Sequence, residues 1–342
     1  MRNLLVRLLT YLTKNEKQEA IREPKQEKED QSTLREDKKE EIKIIPPEQP
    51  VEEEKPARKS KKKASNLTKV SIDPRDIMET MGIPYLALSK NRTAPIIYES
   101  PDGTTKVKIS RHSEHYIASI YDWDIIQCIA GKIQEVINSK KDIPPRTVII
   151  PRHNLLKELH KHDGKTNQKK IEASLTRLQT TLIETTVRNE DYRYRSGFGF
   201  ISDWGYTERK DIKEFRITLS DWLYDGICRD GALLKVHPKY FDMTSGLQKV
   251  LYRIARKHVG NQNKSWDFSI EDLYKKSGSE QELKKFTYDL KKAIQSQMIP
   301  SYHFEWIDDD ENSKIIIRVI NLRKYCKEIL TKTPLSSPPY KF

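Results

Sequence analysis

Leu247, Val250, Leu251, Ile254 and His258 recur at the three-four-seven spacing of one helix face. Lys249, Arg253, Arg256 and Lys257 fall off that face. A short helix is expected from about residue 270 to 276, and a longer one from about 280 to 297. The longer helix is expected to open with a capping box, Ser279 and Glu282, after Gly278. An alternating hairpin follows, with Tyr302, Phe304 and Trp306 opposite Ile315, Ile317 and Val319.

A similar order stands about a hundred residues earlier. Ile96-Ile97-Tyr98 and Lys106 to Ile109 read as strands around the turn Pro101-Asp102-Gly103. A helix starting near Asp122 turns Ile125, Ile126, Ile129, Ile133 and Val136 inward. The strand Thr147 to Ile150 leads to a helix with Leu155, Leu156 and Leu159, and Asp163-Gly164 breaks the chain. The next helix points Ile171, Leu175, Leu178 and Leu182 inward. Hairpin strands are expected at Leu182 to Arg188 and Phe198 to Ser202, with another at Glu214 to Leu219. Ser220-Asp221-Trp222-Leu223 then caps a short helix.

Three helices and a hairpin, twice, predict an α+β fold with two tandem winged-helix domains, relatives of the helix-turn-helix DNA reader. The expected boundaries are 71–230 for the first and 231–330 for the second. Residues 1–70 are rich in Glu, Lys, Gln, Arg and Pro and bury too little apolar surface to order, so a charged disordered tail is expected. Within it, residues 2–12 form one short amphipathic pattern that would suit a docking peptide, although so short a helix hardly persists alone in water. The run Lys55 to Lys63 suits either a phosphate grip or a solvated linker. Residues 331–342 read as a frayed C-terminal tail.

Charge narrows the function. The net charge is +13, and most of it lies beyond residue 70, because the tail holds 18 Lys and Arg against 14 Asp and Glu. Such an excess suits a polyanion. Cys128, Cys228 and Cys326 stand far apart without a C-x-x-C, against a disulfide framework or zinc finger and in keeping with a reducing cytoplasm. No stretch approaches the roughly 18 apolar residues of a membrane span, and Leu4 to Leu12, interrupted by Arg7, lacks the cleavage site of a secretory signal.

A helix that reads duplex DNA needs one apolar face for its own core and a second face of donors. In the first domain these are Lys169, Lys170, Ser174 and Arg177. In the second they are Lys285, Tyr288, Lys292 and Gln295, flanked by Lys284 and Lys291. Arg193 and Arg195, close to Arg188, would form a basic first wing suited to a narrow minor groove, or would pair with Glu190 and Asp191. The second wing tip, Asp308 to Glu311, would be repelled by phosphate and is expected to point away from it or toward a basic protein.

Catalysis finds little support. No G-x-x-x-x-G-K-[ST] is present to hold a nucleotide, and no cofactor or metal is expected. His160-Lys161-His162 is the nearest approach to a rolling-circle nickase's metal motif, but its central residue is a lysine and its imidazoles diverge on a helix. His112 and His115 read as an exposed loop, and His258 as a core histidine. The alternatives left open are a rolling-circle nicking initiator and a winged-helix transcriptional repressor.

Specific stretches carry a resemblance. These are Ile120-Tyr121-Asp122-Trp123-Asp124-Ile125, Gly197-Phe198-Gly199-Phe200, Leu219-Ser220-Asp221-Trp222-Leu223 and Tyr240-Phe241. Leu251-Tyr252-Arg253-Ile254-Ala255-Arg256-Lys257-His258 follows, then Trp266, Lys276-Ser277-Gly278-Ser279 and Pro300-Ser301-Tyr302. Over about residues 82 to 307 the chain resembles the replication initiator protein A family of plasmid replication initiators. The resemblance implies a cytoplasmic, non-enzymatic protein that binds repeated double-stranded sites at a plasmid origin. It would mark or open the origin and recruit host replication proteins, a helicase or host initiator, and by analogy it would repress its own promoter as a homodimer.

Overall fold

The computed structural model describes residues 72–112, 114–139, 144–188, 197–210, 212–260, 264–296, 298–309 and 314–324. The tails expected at 1–70 and 331–342, Arg193, Arg195 and the acidic tip beyond residue 309 lie outside them.

Two stretches of chain build the same arrangement. The first runs α1 (Trp123–Ser139), β4 (Thr147–Pro151), α2 (Arg152–Glu158), α3 (Lys165–Thr180) and, after an excursion, the hairpin β6 (Ile201–Arg209) and β7 (Ile212–Leu219). The second runs α5 (Gly246–His258), β9 (Ser265–Ser269), α6 (Ile270–Ser277), α7 (Leu283–Ser296) and the hairpin β10 (Tyr302–Asp309) and β11 (Lys314–Asn321). In each, the strand after the first helix pairs antiparallel with the last strand of the hairpin, giving sheets β4-β7-β6 and β9-β11-β10. Each hairpin is thus anchored to the helices through a third strand. Between the repeats stands α4 (Asp221–Cys228), where the Ser220 hydroxyl accepts the Leu223 amide at 3.3 Å, the cap that the sequence predicts.

Local signals set most helix ends. Ser245 and Ser269 accept the amides of Gln248 and Asp272, and α6 stops at Gly278, whose φ of 62° is the left-handed value that favours glycine. The capping box expected at Ser279 and Glu282 does not form. The Ser279 hydroxyl instead accepts the Gln281 amide, and α7 starts four residues later.

A strap of chain, residues 72–95, joins the repeats. Its strand β1 (Arg75–Ile77) pairs with β8 (Leu233–Lys235), so residues on either side of the boundary expected at 230 share one two-stranded sheet. The strap crosses α1 so closely that a Cβ on Gly131 would stand 2.2 Å from the Asp73 carbonyl oxygen. One apolar core, including Ile77, Tyr85, Trp123, Ile129, Leu175, Phe215, Tyr240, Leu251, Phe286 and Ile317, runs through both repeats.

The first hairpin is not where the sequence pattern places it. Residues expected to pair with the Phe198 to Ser202 strand form β5 (Thr181–Thr185), which adds to the sheet of β2 (Ile96–Glu99) and β3 (Lys106–Arg111). Among the described residues, the bridge from Ile183 to Phe198 is what remains of the expected pairing. The hairpin equivalent to β10–β11 is β6–β7. Its strand β6 carries Asp203, Gly205, Thr207 and Glu208, too polar for alternation to reveal.

Candidate nucleic-acid interface

The longest helix after the turn in each repeat, α3 and α7, presents a basic face. On α7, Phe286, Leu290, Ala293 and Ile294 face the core. Leu283, at the first position of the helix, is 39% exposed, and Phe286 is buried at 1%. The opposite arc holds Lys284, Lys285, Tyr288, Lys291, Lys292 and Gln295, all exposed. Tyr288 is 68% exposed, unusual for a ring without a partner surface. The Lys291 ammonium lies 5.1 Å from the Trp306 ring centre on β10, which ties this face to the hairpin beside it. Lys292 stands at the rim of an open cleft of about 450 Å³ between α7, the start of α5 and the strap.

On α3 the outcome divides. Lys169 and Lys170 are exposed, and Lys165, which periodicity did not single out, extends the basic face to the first turn. That turn carries no acidic residue, so the unpaired amides and the lysines add their positive potential. Arg177 is spent internally. Its Nε and Nη2 donate to the two oxygens of Asp122 at 2.9 and 2.6 Å, and Nη2 also donates to Ser174 at 3.1 Å. Asp122 is 2% exposed, and its hydrogen bonds hold the Arg177 pKa above the ordinary arginine value. Arg177 and Ser174 therefore fasten α3 to the start of α1.

Arg188 is likewise removed from the surface. Its side chain is 7% exposed, Nε lies 2.6 Å from Glu79, and the guanidinium lies 4.0 Å from the Trp222 ring centre. Burial lowers its pKa, against the pull of Glu79. The turn of the actual first hairpin brings up other cations, exposed Arg209 and Lys210, with Lys213 paired to Glu208 at 3.0 Å. On the second hairpin, Asp308 is exposed and accepts the Trp306 indole N–H at 3.0 Å.

Two of the charges of α5, Lys249 and Arg253, are buried, whereas Arg256 and Lys257 are half-buried. Lys249 is 1% exposed, donates to both oxygens of Asp124 at 2.9 and 2.7 Å, and lies 4.1 Å from the Tyr240 ring centre. Burial pushes Asp124 up to about 6, with Lys249 pulling it back, and burial lowers Lys249. Arg253 is 4% exposed and donates to Asp76. The stretches that carry the sequence resemblance include some of these residues: Asp122, Trp123 and Asp124 at the head of α1, and Arg253 on α5. Among the histidines, His160 Nδ1 lies 2.5 Å from Asp242, and His258 packs against Trp266 and Phe268.

Comparison with known proteins agrees with this layout. The profile of the replication initiator protein A family matches residues 75–304. Over 243 residues the chain is 29% identical to a protein of Wigglesworthia glossinidia brevipalpis that bears the name of a replication protein, covering 70% of this chain and 86% of that one. The solved structure of domains 2 and 3 of RctB shares the fold with a TM-score of 0.53 at 13% identity, across 71% of this chain and 97% of that one. On the extent of the profile match, which runs from β1 of the strap through the first repeat and the helices of the second to the start of β10, the chain belongs to the replication initiator protein A family.

Proposed function

We propose that the chain is an origin-binding replication initiator that reads repeated duplex sites on plasmid DNA through two winged-helix modules, without catalysis of its own. The observation that carries this reading is the paired basic face. In each repeat the helix after the turn gathers several exposed lysines, Lys165, Lys169 and Lys170 on α3 and Lys284, Lys285, Lys291 and Lys292 on α7, and each has an anchored hairpin at its side. In this reading α3 and α7 enter successive major grooves and the hairpins act as wings. Lys165, Lys169, Lys170, Lys284, Lys285, Lys291 and Lys292 meet phosphates or base edges, with Tyr288 and Gln295 at base edges. Arg209 and Lys210 replace Arg188 as the cations of the first wing. Arg177 supports α3 from behind. Host replication proteins and a second copy of the chain are the partners expected of such an initiator.

The test is footprinting on the DNA that flanks the gene. Regularly spaced protected repeats are expected, with affinity falling steeply as salt rises because bound counterions are released. Uniform protection without repeats would overturn the reading. A covalent protein–DNA adduct formed from supercoiled plasmid with magnesium or manganese would replace it with a nickase.

A further inference from the structure

The first helices of the two repeats are pinned to each other at two buried points. Asp76, on the strap, has no exposed side-chain surface. Its two oxygens accept from its neighbour's amide, Ile77 N, at 2.8 Å, and from Trp123 Nε1 at 2.9 Å and Gln127 Nε2 at 2.8 Å on α1. They also accept from Arg253 Nε at 2.7 Å and Nη2 at 3.2 Å on α5, and Nη2 donates to Thr80 as well, at 2.9 Å. One turn earlier on α5, Lys249 holds Asp124 of α1. Two pins a turn apart resist rotation of either helix against the other.

The reading helices are fastened to this joint. Arg177 ties α3 to Asp122 at the head of α1. Gln248 of α5 donates to Ser296 of α7 at 2.7 Å, beside the packed Phe286 and Leu290. A connected path therefore runs from α3 through α1, Asp76 and α5 to α7. Any other orientation of the repeats would separate Arg253 from Asp76 and leave charges buried without partners, which makes such pairs selectors of geometry rather than sources of stability.

We infer that Asp76, with Arg253 and the Lys249–Asp124 pair, sets the relative orientation of α3 and α7, so that the chain reads one composite DNA site of fixed spacing rather than two half-sites independently. These four are positioning residues, and the inference rests on the origin-binding reading for its DNA consequence. Spacing is the readout that a merely stabilising role would leave unmoved. Inserting 5 base pairs between the two protected segments turns one about half a helical turn against the other. Wild type is expected to lose at least tenfold in affinity on that duplex. The double variant Asp76→Leu with Arg253→Met, which leaves no orphan charge, is expected to lose less than threefold. Lys249→Met with Asp124→Leu provides a second variant.

A measurement without DNA separates the two readings. Spin labels at Ala173→Cys on α3 and Gln295→Cys on α7, with Cys228 and Cys326 replaced by serine, should give one narrow distance distribution in wild type and a distribution at least twice as wide in the double variant. A broad wild-type distribution, or a wild type indifferent to the insertion, overturns the inference without any variant. So does a folded double variant that keeps both the narrow distribution and the spacing penalty. Narrow and broadened distributions from the labelled chains, together with an unlabelled wild type that protects no repeats, would uphold the joint and sink the origin-binding reading.

Discussion

Asp76 is a carboxylate with five donors and no exposed surface, and removing it strands a guanidinium in the core. Asp76→Ala is expected to lower the unfolding free energy by about 3–5 kcal/mol, the range for breaking one side of a buried pair, as read by urea denaturation. Arg177→Ala strands Asp122 in the same sense. It should lower the melting temperature while leaving the salt slope of DNA binding unchanged, because Arg177 faces α1 rather than phosphate. His258 adds a pH dependence. Burial, helped by Lys257 and Lys276, depresses it to about 4, whereas the unfolded chain takes up that proton near about 6.5. Its contribution is therefore full above that value and is lost as pH falls toward 4. Asp124 acts in the opposite sense. Raised to about 6 in the fold, it takes up a proton before the unfolded chain does and adds stability as pH falls below 6. His258→Phe should thus lose less stability than wild type between pH 7 and pH 4.5. An unchanged difference in urea midpoints would refute the assignment.

At the scale of elements, α7 is the simpler of the two proposed reading helices, because every cation expected on its outer face is there. Lys285→Ala and Lys292→Ala are each expected to weaken DNA binding across sequences and to reduce the salt slope by about 0.9, one phosphate's share. Helix α3 was legible only in part. Its stripe of Ile171, Leu175 and Leu178 is buried as the periodicity required, but the same periodicity could not tell Lys170, which meets water, from Arg177, which meets Asp122. The hairpins show the same limit. Alternation of Tyr302, Phe304 and Trp306 against Ile315, Ile317 and Val319 marked the second one, and the fold set its register, with Phe304 opposite Val319, Trp306 opposite Ile317 and Tyr302 opposite Asn321. The first escaped because β6 is polar and because β5, which looked like its strand, finds a better ladder on β3, with Lys108 facing Glu184 at 2.8 Å.

At the scale of the whole molecule, the two repeats share a core, a strap and a two-stranded sheet. The body from 72 to 324 is expected to unfold in one cooperative step, with calorimetric and van't Hoff enthalpies equal. Two separate endotherms would show that the joint is weaker than its geometry implies. The sequence suggested two domains with a boundary near 230. The repeat of elements is real, but repetition along a chain says nothing about how much surface the copies bury between them.

Periodicity, caps and charge alone determined most of the helices, the second hairpin and the basic face of α7, because each is written in residues within a few turns of one another, while the family resemblance rested on particular stretches spread from about residue 82 to 307. Only the tertiary structure decided which charges are buried. Arg253 finds Asp76 across 177 positions, and Lys249 finds Asp124 across 125. A local pattern assigns a lone charge to water because burial without a partner is too costly, and the partner that makes burial tolerable is brought near only by the fold.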